Sequence, residues 1–128
     1  MYAFLQDPYF YFLFTYLGFN IAFREFGATV PSLWQTVKDF ERDRPEVVKH
    51  WPVREDSLWR FVTDDNGESY NLCHFWTNFE IASLDLWRSN DYLKFFNYLD
   101  QTGGFFYERY LHILCSFQKQ LCLLTEYK

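Results

Sequence analysis

The chain has 128 residues, enough for one domain with a buried core. Its hydrophobic share of 49% excludes intrinsic disorder over most of the length, and its net charge of -5 excludes the basic footprint of a nucleic-acid-binding protein. Aromatic residues make up 24%, which suits a dense core or a platform for the flat apolar faces of sugars.

The N-terminal third predicts a short strand followed by helices. We expect a buried strand over Gly18–Phe23, within an apolar run that is shorter than the roughly 20 residues of a membrane span. The run also lacks the basic flank of a secretory signal, so no membrane anchor is expected in the chain. Thr29 and Pro31 predict the start of an amphipathic helix that ends at ERDRP and buries Leu33, Val37 and Phe40. Pro45 predicts a second short helix through His50.

The middle of the chain predicts strands. Leu58–Val62 resembles a short strand, TDDNG is a strong turn signal, and a further strand is expected from about Tyr70. Alternating apolar residues predict an extended segment over Phe79–Arg88. Asp64 and Asp65 invite a metal interpretation, but a solvated turn is the simpler reading of TDDNG.

The last elements are helical. Ser89 predicts an N-cap and Gly103 a left-handed C-terminal stop. The buried stripe between them would consist of Tyr92, Phe95, Phe96 and Leu99. Another helix is expected within 110–128. This alternation of strands and helices predicts an α/β or α+β architecture.

Three cysteines, Cys73, Cys115 and Cys122, are odd in number and lack CxxC spacing. This pattern predicts neither a zinc site nor a disulfide framework, and small core residues are the simpler interpretation. The chain also contains no P-loop, GxGxxG, GxSxG or HExxH motif.

The stretch YNLCHFWTNFE, from Tyr70 to Glu80, carries the chemistry. A carboxylate such as Glu80 on an apolar strand is costly to bury unless it is paired or functional, and desolvated carboxylates cluster at active sites. The alternative is a strand-end glutamate that reaches solvent or Arg88. His74 lies six positions earlier, so on one continuous strand the two would share a face. A hydrogen-bonded core histidine is the alternative for His74.

The segments YNLCHFWTNFEIASLDLWRS and YLKFFNYLDQTGGFFYER closely resemble the fungal α-1,2-mannosyltransferases of glycosyltransferase family 15. A looser resemblance includes GFNIAF, VPSLWQTVKDF, RPEVV and LWRFVTDDNGESY. The resemblance implies a partial GT-A-like fold, which is a Rossmann-type α/β nucleotide-sugar domain with a mixed sheet and flanking helices. It implies transfer of mannose from GDP-mannose to a mannoside or glycoprotein acceptor, with retention and Mn²⁺ assistance, in protein O- and N-glycosylation.

Glu80 matches the family's candidate nucleophile. A carboxylate there can attack or stabilise an oxocarbenium-like centre, as in retaining glycosidases. By analogy His74, Trp76 and Asn78 would bind the sugar or position Glu80. Localisation to the Golgi membrane, with a lumenal catalytic domain, is also what the resemblance implies.

The sequence departs from the family pattern at both ends. The family's anchor, stem and Glu-Pro-Asp metal motif have no counterpart here, and no metal ligands are predicted in the chain. Residues 1–16 form a divergent aromatic N-terminus, 17–109 a partial catalytic domain and 110–128 a divergent tail. We therefore expect weak GDP-mannose binding and little transfer. The alternative function is an inactive fragment that retains at most an interaction or a carbohydrate-binding role.

Overall fold

The computed structural model describes residues 17–19, 22–51, 59–76, 80–82 and 84–110. At 17–19, 80–82 and 86 it describes the backbone alone. The predicted divergent N-terminus and nearly all of the predicted C-terminal helix lie outside the described residues, as do Asn78 and the cysteines Cys115 and Cys122.

Among the residues that the structure describes, four short strands form two separate antiparallel ladders. Strand β1 (Leu17–Phe19) pairs with β4 (Glu80–Ala82), and β2 (Ala22–Arg24) pairs with β3 (Cys73–Phe75). In register, Phe19 faces Glu80 in the first ladder, and Ala22 faces Phe75 in the second. Two residues separate β1 from β2, whereas four residues separate β3 from β4. The two ladders therefore cannot share one register.

Helix α1 (Leu33–Asp43) is the amphipathic helix that the sequence predicts. Its buried residues, spaced three and four apart, are Leu33, Thr36, Val37 and Phe40. The helix begins at Leu33 with Ser32 as N-cap, so the predicted start at Thr29 and Pro31 is wrong. The Thr29 hydroxyl donates backwards to the Phe26 carbonyl (2.7 Å) and stabilises a 3₁₀ turn over Gly27–Thr29 instead.

The short helix α2 (Pro45–Val48) follows, with proline in its first turn as predicted. Trp59–Val62 forms a single helical turn, α3, and the strand predicted over Leu58–Val62 is wrong within the described residues. Trp59 and Val62 lie three apart and are both buried, which is helical spacing. An apolar run of this length is too short for its hydrophobic period to distinguish a helix from a strand.

The turn after α3 is built by Asp65, so the solvated-turn interpretation of TDDNG is confirmed. The Asp65 Oδ1 atom accepts hydrogen bonds from the Thr63 hydroxyl (2.7 Å) and the Ser69 amide (2.9 Å), and Oδ2 accepts one from the Ser69 hydroxyl (2.5 Å). Asn66 and Gly67 take positive φ values of 59° and 99° to close the turn. Hydrogen bonds from Ser69 and Thr63 to the ionised carboxylate hold the pKa of Asp65 well below its ordinary value.

We expect Asp65→Asn to lower the melting temperature at neutral pH and to weaken its dependence on acid. Because the folded-state pKa of Asp65 lies below the unfolded one, its stabilisation is present above about pH 4 and is lost as the pH falls through the folded pKa. Thermal unfolding by circular dichroism at several acidic pH values measures this. Asp100→Asn, at an exposed position, is the control. Equal acid sensitivity in the wild type and Asp65→Asn would contradict the role of Asp65.

The segment after β4 is helical, in contrast to the extended segment predicted as far as Arg88. Strand β4 ends at Ala82, and α4 (Leu84–Arg88) follows. The Trp87 ring meets Tyr92 edge to face, with the centroids 5.1 Å apart, which packs α4 against the next helix. Tertiary packing of this kind outweighs an alternating pattern of a few residues.

Helix α5 (Asn90–Gln101) matches its prediction. The Ser89 side chain accepts from the Tyr92 amide (3.3 Å), and Gly103 adopts the left-handed conformation with φ 77°. The buried stripe consists of Tyr92, Phe95 and Leu99, with Phe96 half-buried beside it. The central core cluster joins α1, α2, α3 and α5 around Phe40, which contacts the rings of Trp51, Phe95 and Tyr98.

The chain then packs back onto the start of α1 through helix α6 (Gly104–Tyr107) and Tyr110. Tyr110 is fully buried, and its hydroxyl is hydrogen-bonded to Ser32 Oγ (2.6 Å) and Thr36 Oγ1 (3.1 Å). Ser32 also donates from Oγ to Glu108 Oε1 (2.6 Å) and from its amide to Oε2 (3.2 Å). Tyr110 and Glu108 thus fix the N-terminal end of α1.

Candidate functional site

The candidate residues are distributed over β3, β4 and the residues between these strands. His74 is the central residue of β3 and is fully buried, Trp76 follows β3 and is half-buried, and the backbone of Glu80 begins β4. Asn78 lies outside the described residues. His74 and Glu80 belong to different ladders with different registers, so the condition under which they would share a face, one continuous strand, is not met. Strand alternation therefore does not assign the His74 and Glu80 side chains to the same face.

The entry to β3 is a sharp kink rather than the regular strand predicted from about Tyr70. Leu72 has φ 68°, in the left-handed region that branched apolar residues avoid. The Asn71 side chain flanks the kink on both sides: its oxygen accepts from the Cys73 amide (2.9 Å) and its amino group donates to the Phe61 carbonyl (3.1 Å). Strained backbone that its surroundings enforce in this way is frequent at functional sites.

Stacked pairs of aromatic rings include residues within β3 and just before it. Phe61 stacks on Phe75 with centroids 4.4 Å apart and planes 4° from parallel, and Trp34 stacks on Tyr70 at 5.7 Å. The Tyr70 hydroxyl donates to the Cys73 carbonyl (3.0 Å). Burial, with smaller contributions from Cys73 and Glu25, raises the pKa of Tyr70 well above its ordinary value. The phenol therefore stays protonated at physiological pH and acts as a hydrogen-bond donor.

Glu25, one residue beyond β2, lies beside the candidate residue His74, and sequence reasoning missed it. Its amide donates to the Leu72 carbonyl (2.8 Å), which extends the β2–β3 pairing to the kink. Its carboxylate side chain is 11% exposed, and Oε2 lies 4.0 Å from His74 Nε2. The available signal was a glutamate beside Arg24 in the phenylalanine-containing segment AFREFG, where burial of a carboxylate requires a partner.

Strand β2 differs from the buried strand predicted over Gly18–Phe23. Its residues Ala22, Phe23 and Arg24 are all exposed to some degree, with Phe23 at 43%. The Phe23 ring nevertheless meets His74 edge to face, with centroids 4.4 Å apart. The half-exposed edge strand β2 thus covers one side of the buried imidazole.

The described residues contain no group of three or more His, Cys, Asp or Glu side chains arranged to hold a metal ion. No helix in the described ranges combines the length and apolar character needed to cross a membrane.

Comparison with known proteins defines the class of this fold. The chain superimposes on the mannosyltransferase Ktr4p of Saccharomyces cerevisiae in complex with GDP with a TM-score of 0.72 and 30% identity, over 90% of this chain and 31% of that one. Core-mannan synthase A of Aspergillus fumigatus, in its Mn/GDP form, gives a TM-score of 0.69 and 32% identity, over 89% of this chain and 32% of that one. The chain is therefore part of a GT-A-like α/β glycosyltransferase domain, as predicted.

The sequence profile described as Glycolipid 2-alpha-mannosyltransferase matches residues 14–116. Glycolipid 2-alpha-mannosyltransferase 2 of Candida albicans is 54% identical over 93 residues, which is 73% of this chain and 19% of the relative. The chain belongs to this fungal α-1,2-mannosyltransferase family. It spans about a fifth of that relative and under a third of the two solved structures.

Proposed function

We propose that the chain acts in transfer of mannose from GDP-mannose to a hydroxyl of a mannoside or glycoprotein acceptor, with an α-1,2 linkage and retained configuration. The observation that carries the proposal is the family match over residues 14–116, which includes the whole Tyr70–Glu80 stretch. The similarity to a mannosyltransferase in complex with GDP supports a guanosine-nucleotide sugar as donor. By the same kinship we propose a Golgi membrane location for the protein.

The proposed reaction assigns Glu80 to the reacting centre. Departure of the nucleotide leaves positive charge on the anomeric carbon, and a carboxylate can attack that carbon or stabilise the charge. We propose Trp76 as a surface for an apolar sugar face, and His74 and Asn78 as groups that position hydroxyls or Glu80. The half-buried position of Trp76 directly after β3 is compatible with stacking on a sugar.

Mn²⁺ belongs to this proposal at the level of the family, since one solved relative is a Mn/GDP form. A divalent ion on a diphosphate requires several oxygen ligands, and the described residues do not supply such a set. We therefore assign no residue of this chain to the metal and no step to the metal ion.

We expect Glu80→Gln to reduce the small amount of mannosyl transfer expected of this chain to background, because replacement of a residue at the reacting centre typically costs on the order of 10⁴-fold. The substitution keeps the size of the side chain and removes its charge. The measurement is transfer from radiolabelled GDP-mannose to methyl α-mannoside with MnCl₂. Glu46→Gln, on the exposed face of α2, is the matched control.

Equal transfer by wild type and Glu80→Gln would remove Glu80 from the mechanism. Binding of methyl α-mannoside without any transfer by the wild-type chain would favour the alternative function, a carbohydrate-binding fragment.

A further inference from the structure

The carboxylate of Glu25 is held in one orientation beside the imidazole of His74. Its Oε1 atom accepts a hydrogen bond from the Phe26 amide (2.8 Å), and its own amide is bonded to the Leu72 carbonyl (2.8 Å). With one oxygen engaged and the backbone fixed, the second oxygen, Oε2, lies 4.0 Å from His74 Nε2. The two side chains are 11% and 1% exposed, so solvent screens their interaction little.

We propose that Glu25 is a positioning residue that holds His74 through this contact, with the proton of the imidazole on Nε2. The distance is that of an electrostatic contact rather than a hydrogen bond. A carboxylate on the Nε2 side favours the form in which that nitrogen carries the proton, because its negative charge attracts the N–H dipole. The ring is fixed from a second direction by the edge-to-face contact with Phe23.

Two other polar groups described near this contact have partners of their own. Arg24, next in sequence, forms an exposed ion pair with Asp64 (3.7 Å). The Tyr70 hydroxyl donates to the Cys73 carbonyl. Glu25 lies within ion-pair distance of His74.

This contact bears on the candidate site because His74 lies on β3 and Trp76 follows the end of that strand, two residues after His74. An imidazole held by Glu25 fixes the strand that leads to Trp76. The part of the inference that concerns sugar recognition rests on the proposed function, whereas the contact between Glu25 and His74 is independent of it.

The test is the ¹⁵N NMR spectrum of the imidazole nitrogens in the histidine-labelled chain, with His74→Gln used to assign the His74 signals. We expect wild-type His74 to show a protonated Nε2, and Glu25→Gln to move the His74 signals by more than their line width. His50, exposed and paired with Asp91 (3.0 Å), should be unaffected and is the internal control. Glu46→Gln should leave both residues unchanged. A His74 spectrum identical in wild type and Glu25→Gln would overturn the proposal.

Thermal unfolding provides a second measurement if Glu25→Gln folds poorly. The shifts in melting temperature of Glu25→Gln, His74→Gln and the double variant form a cycle. We expect the double variant to melt higher than the sum of the single shifts predicts, and additive shifts would overturn the proposal. A chain that transfers no mannose but shows the NMR effect would remove the proposed function and retain Glu25 as the residue that holds His74.

Discussion

Gly104→Ala is expected to destabilise the chain by about 3 kcal/mol, at the upper end of the usual cost of overpacking. A Cβ atom on residue 104 would lie 2.0 Å from Cε2 and 2.2 Å from Cδ2 of Tyr110. The Tyr110 ring is fully buried, and hydrogen bonds to Ser32 and Thr36 prevent it from moving aside cheaply. Urea unfolding followed by circular dichroism measures the change in the free energy of unfolding.

Gly27→Ala is the matched control for this effect. A Cβ at residue 27 would meet the nearest atom, Leu72 Cδ1, at 3.4 Å, which is ordinary van der Waals contact. We expect a change within about 0.5 kcal/mol, as for other substitutions without a steric conflict. Equal destabilisation by the two alanines would show that the close approach of Tyr110 to Gly104 does not determine stability.

Phe40→Ala is expected to have an even larger effect, a loss of about 3–5 kcal/mol. Phe40 is fully buried at the centre of the core, and the ring centroids of Trp51, Phe95 and Tyr98 lie 5.7, 4.9 and 5.2 Å away. Removal of the ring leaves a cavity between α1 and α5 that such bulky neighbours cannot fill. Because domains of this size are stable by only about 5–15 kcal/mol, the variant should lose a large part of its stability and melt well below the wild type.

Phe106→Ala removes the same ring from a solvent-exposed position on α6, where the side chain is 85% exposed. We expect its melting temperature to stay close to that of the wild type, because little apolar area is buried there. Near-UV and far-UV circular dichroism of both variants give the comparison. A melting temperature of Phe40→Ala close to that of Phe106→Ala would contradict the position of Phe40 in the core.

The elements that sequence predicted correctly are those with a long period or a defined cap. Helices α1 and α5 each present several turns of apolar spacing, and Ser89, Gly103 and Pro45 mark boundaries by stereochemistry that needs no tertiary partner. The turn at Asp65 was equally readable, because its residues make their hydrogen bonds within the turn itself.

The elements that sequence reasoning predicted wrongly were short and depend on contacts made elsewhere in the chain. The turn of α3 is four residues long, too short to show a helical period, and is helical because Trp59 and Val62 pack into the core. Thr29 has two local uses for its hydroxyl, as a cap or as a turn-former, and composition does not decide between them. The kink at Leu72 is flanked by hydrogen bonds of the Asn71 side chain, one of them to Phe61, ten positions earlier.

The candidate site was only partly predictable for the same reason. The family resemblance implies roles for four residues within one short stretch, which are His74, Trp76, Asn78 and Glu80. These roles remain predictions. Glu25 lies about fifty positions before His74 in sequence, and the antiparallel pairing of β2 with β3 brings the two together. A single sequence does not reveal such pairing when each strand has only three residues.

The unequal spacing of the two ladders makes the length of the Trp76–Phe79 segment a determinant of the fold. Removal of two of these four residues would equalise the spacing and allow β3 and β4 to merge into one uninterrupted hairpin arm. Regular pleating would then dictate the direction of every side chain from Cys73 to Ala82. The two extra residues prevent one register from running through both ladders, and they set Glu80 opposite Phe19.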